Sequence, residues 1–405
     1  MGIIAKRILM FTTKKILLTS TLILSSLLAM EKPLVLPDVL KPHKPTTQST
    51  ALHTTFTRKG PTVQIGILLD TSGSMNGLIN QAKDQLWKIV NEVAKANKNN
   101  KSVTIQVGLF EYGKASLPKY EGYLQMLSPL TSDLDNVSES LFSLRTNGGD
   151  EYAGKVILES VNRFAWSSHP DDLKLLIIAG NESFAQGTVP YERAIEKAKN
   201  NNIIVNTIFC GQAKRGKQLF WDKGAKLGGG KAFNINHNDR RVYMQTPYDD
   251  DIITLGKNLN ATYLNYGHTK ERRKKTANIY KQDRNSFSMS KTSYIERNLV
   301  KAKKQYSQAS SDMVTAFIED ETALSKISKE KLPDALKDKS PKEIQAIVQA
   351  KKTQRIALQE KIKVLETQRE SFIAKNTPKD KQDLASAIIK SIKEQAKSNG
   401  FVFGK

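Results

Sequence analysis

The chain has 405 residues, 39% of them hydrophobic and 25% charged, with 63 Lys and Arg against 40 Asp and Glu and a net charge of +23 at pH 7. That length and apolar content support at least one full core and exclude a chain disordered throughout. The single cysteine, Cys210, excludes an internal disulfide framework, a CxxC redox pair and a Cys-rich zinc site, and the five scattered His form no metal box.

In chain order, Lys6, Arg7, Lys14 and Lys15 precede an apolar run from Ile16 to Leu28, closed by Glu31, Lys32 and Pro33. This charge-then-apolar layout predicts a secretory signal or N-terminal anchor over 1–29. The run is shorter than the ~20 residues of a comfortable membrane-spanning helix, which favours a signal removed near Ala29. From 30 to 60 the chain is rich in Pro, Thr, Ser and His without periodicity and reads as a flexible linker.

Four short apolar runs follow: Val63 to Leu69, Thr104 to Phe110, Leu173 to Ile178 and Ile203 to Phe209. Each reads as a buried strand. Helical stretches alternate with them at Leu78 to Ala96, Gly154 to Trp166 and Tyr191 to Lys199. A strand near Lys231 to Ile235 and a helix from Asp249 to Leu264 close the pattern near Tyr266. The alternation predicts an α/β fold, a doubly wound, mostly parallel sheet over 61–266. Ligands of such sheets bind beyond the carboxyl ends of the strands.

At that place, directly after the first strand, stand Asp70, Ser72 and Ser74 in the pattern D-x-S-x-S, with Gly73 free to bend the turn. An all-oxygen cluster suits a hard cation such as Mg²⁺. Read alone, the turn serves equally well as an Asp or Ser cap opening the helix at Leu78.

The segment VQIGILLDTSGSM resembles the von Willebrand factor type A domain, whose hallmark is D-x-S-x-S after the first core strand, forming a metal-ion-dependent adhesion site. AGNESFAQG, VNTIFCG and TPYDDDI look closest to the bacterial exported subgroup of that family. The resemblance covers about half the chain. It implies a Rossmann-like fold, a divalent cation (Mg²⁺, or Mn²⁺ or Ca²⁺), and a partner protein whose Asp or Glu completes the coordination. It also implies export to the periplasm or cell envelope. In the family a Thr from a second loop and an Asp from a third complete the site. Aligning the second-loop glycines puts Asp150 where that Thr is expected, with Thr146 four residues earlier, and Gly180 where the third-loop Asp belongs, followed by Asn181 and Glu182. The expectation is compensation: Asp70 and Asp150 hold the charge, Ser72 and Ser74 give neutral oxygens, and Asn181 or Glu182 reaches in through water or not at all. The rival expectation is a metal-free scaffold.

Glu111, Tyr112, Glu151 and Tyr152 are expected beside the same crevice, and Cys210, amid apolar residues, as a buried hydrophobe. His169 and His237 fall in connecting loops. No phosphate loop, G-x-S-x-G elbow or H-E-x-x-H helix occurs, so the reading is a binding module rather than an enzyme, with a metal-dependent hydrolase using Glu151 or Glu182 as base the remote alternative.

Beyond Gly267 the composition shifts: 31 Lys and Arg face 17 Asp and Glu, beginning with the cluster Lys270, Arg272, Arg273, Lys274 and Lys275. Apolar residues at helical spacing from Tyr294 to Phe317, from Ile344 to Phe372 and from Leu384 to Ile392 predict a basic helical region over 267–405, as a hairpin or short coiled coil. Lys351 and Arg355 interrupt the second seam and exclude a long continuous coil. The expected role is internal packing or self-association, or else contact with an anionic envelope surface. Nucleic acid is disfavoured because the aromatic residues are read as lying on the helices' apolar faces rather than among the basic ones.

Overall fold

The computed structural model describes residues 60–235, 244–308, 310–376 and 384–403. The expected signal or anchor, nearly all of the expected linker, and His237 lie outside them.

The central sheet has six strands: β1 (Thr62–Asp70), β4 (Thr104–Tyr112), β5 (Leu124–Thr131), β6 (Leu173–Gly180), β7 (Ile203–Cys210) and β8 (Gly229–Ile235). Between β1 and β4 lie the short strands β2 (Ala96–Lys98) and β3 (Lys101–Ser102). The order across the large sheet is β5-β4-β1-β6-β7-β8, parallel throughout except for the antiparallel edge pair β4–β5. The fold is therefore the expected doubly wound α/β sheet. β5 (LQMLSPLT) escapes the sequence reading because Pro129 breaks its apolar run, which an edge strand tolerates and a central one does not.

On one face lie α1 (Asn76–Val93) and α2 (Leu134–Ser143); on the other, α3 (Ala153–Arg163), α4 (Tyr191–Asn200) and α6 (Trp221–Leu227), the last preceded by the short α5 (Ala213–Gln218). β1 shows how alternation feeds both cores: Val63, Ile65 and Leu69 join α1 and α2, while Leu68 joins the layer of α3 and α4. Gly66 and Gly108 stand opposite each other in register, and a Cβ at either would come within 2.9 and 2.5 Å of the Phe164 ring. Their lack of side chain makes room for that ring.

The helical region comprises α7 (Asp249–Asn260), α8 (Thr269–Met289), α9 (Lys291–Lys301), α10 (Met313–Glu319), α11 (Pro341–Asn376) and α12 (Leu384–Ser398), then β9 (Val402–Phe403). The sequence suggests a hairpin or short coiled coil here; α8 and α9, joined at Ser290, pack on each other, and the region also lies against the helices that flank the sheet. α8 and α9 pack on α2 and α1, α12 on α1 and β8, α11 on α7, α9 and α10, and β9 pairs with β2.

The interface is cemented by buried charge as well as by apolar contact. Arg297, 0% exposed, donates to Asp135 and to Asp283 at 2.6 Å each, with its guanidinium 4.7 Å from the Trp87 ring centroid. Lys301 donates to Asp283 and Asn260 at 3.0 Å. Arg369 bridges Asp249 at 3.0 Å and Glu296 at 3.1 Å. Arg355, which interrupts the apolar seam in sequence, is the anchor of that helix: it pairs with Asp312 at 2.6 Å beneath Tyr263, whose ring centroid is 4.4 Å away. Burial alone would raise the Asp283 carboxyl, but the charges of Lys301 and Arg297 outweigh it and hold it low. Burial pulls Lys301 down to about 8 against the opposing pull of Asp283.

Candidate functional site

The carboxyl ends of β1, β4, β6 and β7 converge on one crevice. β1 delivers Asp70 with its side chain fully buried, and the chain turns at once into a single 3₁₀ turn (Gly73–Met75) that opens α1. Neither Ser72 before that turn nor Met75 before α1 makes a side-chain cap bond. Capping, which the sequence leaves open, is therefore not how this turn spends its oxygens.

Those oxygens form a linked set. The Ser72 backbone N–H donates to Asp70 Oδ1 at 2.7 Å, Ser72 Oγ and Ser74 Oγ are 3.2 Å apart, and Asn181 Nδ2 donates to Ser74 Oγ at 2.8 Å. Two oxygens of the set, Asp70 Oδ2 and Asn181 Oδ1, are buried without a hydrogen-bond partner. Buried polar atoms are satisfied in the great majority of cases; other unpartnered atoms are buried elsewhere among the described residues, and what sets this pair apart is that both side chains belong to one hydroxyl-linked set at the end of the sheet. Asn181 is thereby tied to the turn through Ser74.

Asp70, Ser72 and Ser74 are brought together; the Asp150 side chain is bonded elsewhere. It is exposed, and its Oδ2 accepts from the Tyr152 hydroxyl at 3.2 Å. The carboxylate beside Asp70 is the next residue, Glu151, 9% exposed. Both acids crowd Gly113: a Cβ there would sit 2.8 Å from Asp70 Oδ1 and 2.8 Å from Glu151 Cγ. The offset has a backbone cause. Gly149 is pressed against Gly113 O and Ala115 N, where a Cβ would come within 2.7 and 2.6 Å, and from that fixed point the non-helical chain sends Asp150 outward and Glu151 inward. Thr146, the other second-loop candidate, bonds Asn76 Oδ1 at 2.7 Å.

The missing third-loop carboxylate also has a physical account. A Cβ at Gly180 would meet the Tyr112 hydroxyl at 2.6 Å and the Trp221 ring at 3.0 Å. Tyr112 Oη donates to Ala179 O at 3.0 Å, and Trp221 Nε1 to Glu182 O at 2.7 Å. Two aromatic side chains thus occupy the place a third-loop side chain would need. Trp221 carries no local motif, so sequence reasoning missed it; Tyr112, expected as crevice lining, is a buried wall.

Burial pushes the Asp70 carboxyl up to about 7, with the charge of Glu182 adding to the rise and hydrogen bonds from Ser72 opposing it. Burial also lifts Glu151 to about 7, helped by the charges of Asp70 and Glu182 and opposed by the Ser72 hydroxyl. Glu111 is buried too, accepting from Thr71 Oγ1 at 3.2 Å and pairing with Lys114 at 3.4 Å. Cys210 is buried and its thiol is pushed well above the usual value by burial and then by Asp70. His169 is exposed in the loop before β6.

The donor set around Asp70 is carboxylate, hydroxyl and amide oxygen, which fits a hard divalent cation rather than a soft one. Among the described residues no cluster of three or more His, Cys, Asp and Glu is arranged as a metal-ligand set. A cation here would have to rest on Asp70 and neutral oxygens, with Glu151 as a neighbouring charge.

A doubly wound sheet carrying a D-x-S-x-S turn at its carboxyl end defines a class of domain in which a ligand meets oxygen donors at the top of the first strand. Residues 64–220 match the family model of the von Willebrand factor type A domain, and that part of the chain is such a domain. Comparison with curated proteins gives no match. Solved structures similar to the chain include BatB from Bacteroides thetaiotaomicron, 16% identical over 43% of this chain and 90% of that one, with a TM-score of 0.34. Proximal thread matrix protein 1 from the mussel byssus, with a zinc-occupied MIDAS motif, is 19% identical over 44% of each chain, at a TM-score of 0.33. The pilus adhesin SpaC from Lactobacillus rhamnosus GG is 13% identical over 45% of this chain and 29% of that one, at 0.33. Among the described residues no helix is long and apolar enough to cross a membrane.

Proposed function

We propose that the type A domain is a protein-binding module whose crevice takes a divalent cation, Mg²⁺ by preference, through Asp70, Ser72 and Ser74, and that an Asp or Glu of a partner protein completes the coordination. The observation that carries this reading is the buried, unpartnered Asp70 Oδ2 beside two hydroxyls. An ion supplies the partner that the fold withholds, and its charge would bring the Asp70 and Glu151 carboxyls down to the ionised form at neutral pH. Asn181 Oδ1, equally without a partner, is a further neutral donor on the other side of Ser74. Asp150 is left as an exposed rim residue. With few carboxylates of the chain's own on the ion, it stays electrophilic enough to take one from another protein.

The competing reading is a cation-free scaffold, favoured by the same raised carboxyls: protons in place of a metal would also neutralise the crevice. Isothermal titration of the full chain with Mg²⁺ and Mn²⁺ separates them. Heat that Asp70→Ala abolishes and Asp150→Ala leaves largely intact is expected; no heat from the unmutated chain ends the cation reading. In this proposal the module binds and does not turn over substrate. A phosphatase or nuclease activity that needs divalent metal and is lost in Asp70→Ala would reverse that. The charge-then-apolar start of the sequence supports export to the cell envelope as the setting for capture.

A further inference from the structure

Helix α8 is inside out. Of its six buried residues, Arg272, Asn278, Gln282, Asp283 and Ser286 are polar and only Ile279 is apolar. Most of the inward polar groups are engaged: Gln282 Oε1 accepts from the Ser138 hydroxyl at 2.9 Å, Asn278 Nδ2 donates to Asn136 Oδ1 at 3.3 Å, and Asp283 holds Arg297, while the Ser286 hydroxyl is buried without a hydrogen-bond partner. The outward face carries the apolar rings. Tyr280 is 47% exposed and Phe287 64% exposed, interleaved with exposed Lys270, Arg273, Lys274 and Arg284. Arg273, Tyr280, Arg284 and Phe287 are spaced seven, four and three residues apart, which places them on one stripe about 21 Å long. Glu271 is the single outward acid of the helix. Phe287 meets the Tyr294 ring of α9 edge-on, 5.6 Å between centroids, yet still leaves most of its own ring in solvent.

We propose that this stripe docks on an anionic lipid bilayer, with Tyr280 and Phe287 at headgroup depth and the arginines and lysines against lipid phosphate. Cationic side chains alternating with rings on a helix lying flat is the chemistry of an interfacial helix, and each basic residue near an anionic surface contributes about 1 kcal/mol, a factor of about five in affinity. The stripe corrects the expectation that aromatic residues keep apart from the basic ones, so nucleic acid must be weighed again. The surface argues against it. Single strands are bound in grooves, whereas the stripe lies along one exposed helix face, and the amide side chains suited to reading base edges, Asn278 and Gln282, are turned inward and bonded. This inference is independent of the cation crevice.

The test is co-sedimentation of the full chain with phosphatidylcholine vesicles, with and without phosphatidylglycerol. The chain is expected to favour the anionic vesicles. Arg273→Gln with Arg284→Gln should weaken that binding about 30-fold, and Tyr280→Ala with Phe287→Ala should weaken it as well. Lys214→Gln with Lys217→Gln, the same loss of charge on α5, should change it less than about threefold. Comparing variants within one chain cancels any contribution of the N-terminal apolar run. Equal binding to neutral and anionic vesicles, equal losses from α5 and α8, or tighter binding to a single-stranded oligonucleotide than to the vesicles would each overturn the proposal.

Discussion

Two regions of this molecule bury charged groups, and they do so in opposite ways. Beneath the helical layer, Arg297, Lys301, Arg355 and Arg369 each meet carboxylates, and Lys301 and Arg355 also meet a side-chain amide or hydroxyl, so the desolvation of one partner is offset by the other. At the sheet's carboxyl end, Asp70 and Glu151 are buried side by side, no cationic side chain among the described residues forms an ion pair with either, and Asp70 Oδ2 is left unpartnered. The first arrangement is complete and fixes how the helices seat on the sheet. The second is incomplete, and the missing partner is what a ligand can provide.

Removing charge should therefore hurt one region and relieve the other. Arg297→Ala leaves Asp135 and Asp283 buried without their guanidinium and is expected to cost about 3–5 kcal/mol in urea unfolding. Asp70→Asn, in chelator at pH 8, is expected to stabilise by up to about 4 kcal/mol, because the carboxyl sits some three pH units above its ordinary value. The pH dependence gives the sign independently. Between about pH 4 and pH 7 folded Asp70 keeps a proton that the unfolded chain has released, so its contribution is most favourable below pH 4 and is lost as pH rises through 7. The wild-type minus Asp70→Asn difference in unfolding free energy should fall over that range in chelator and flatten in saturating Mg²⁺. An equally destabilising Asp70→Asn at pH 8 would erase the contrast between the regions.

A smaller effect is expected at the filled third-loop position. Gly180→Asp, which restores the residue type the family pattern carries there, should cost about 1–3 kcal/mol by overpacking against Tyr112 and Trp221 and should not tighten Mg²⁺ binding. Tighter binding would show that the aromatic wall yields. The smallest effect belongs to the exposed pair of Lys281 and Glu139, 2.8 Å apart at the edge of the helical layer: Lys281→Ala should move stability by less than about 0.5 kcal/mol. A large loss there would mean that the layer is held by its rim rather than by its buried network.

Much of the fold is legible in the linear order of residues. β1, β4, β6 and β7 are buried on both faces, so each had to be an apolar run, and a run of that kind is visible without knowing its neighbours. Asp70, Ser72 and Ser74 are legible for a related reason: they share one turn, and their spacing alone brings their oxygens together. α8 is nearly invisible, because its inward side is polar and shows no apolar period. Its packing depends on hydrogen bonds and ion pairs to residues more than a hundred positions away.

The sequence by itself thus determined the parallel part of the sheet and the first loop of the crevice, where the governing interactions are local or follow from simple burial. Tertiary structure decided which second-loop acid turns inward, Glu151 rather than Asp150, and why Gly180 has no side chain. Both depend on where Gly113, Tyr112 and Trp221 arrive from distant parts of the chain, and a side chain's direction in an irregular loop is set by the atoms that block its alternatives.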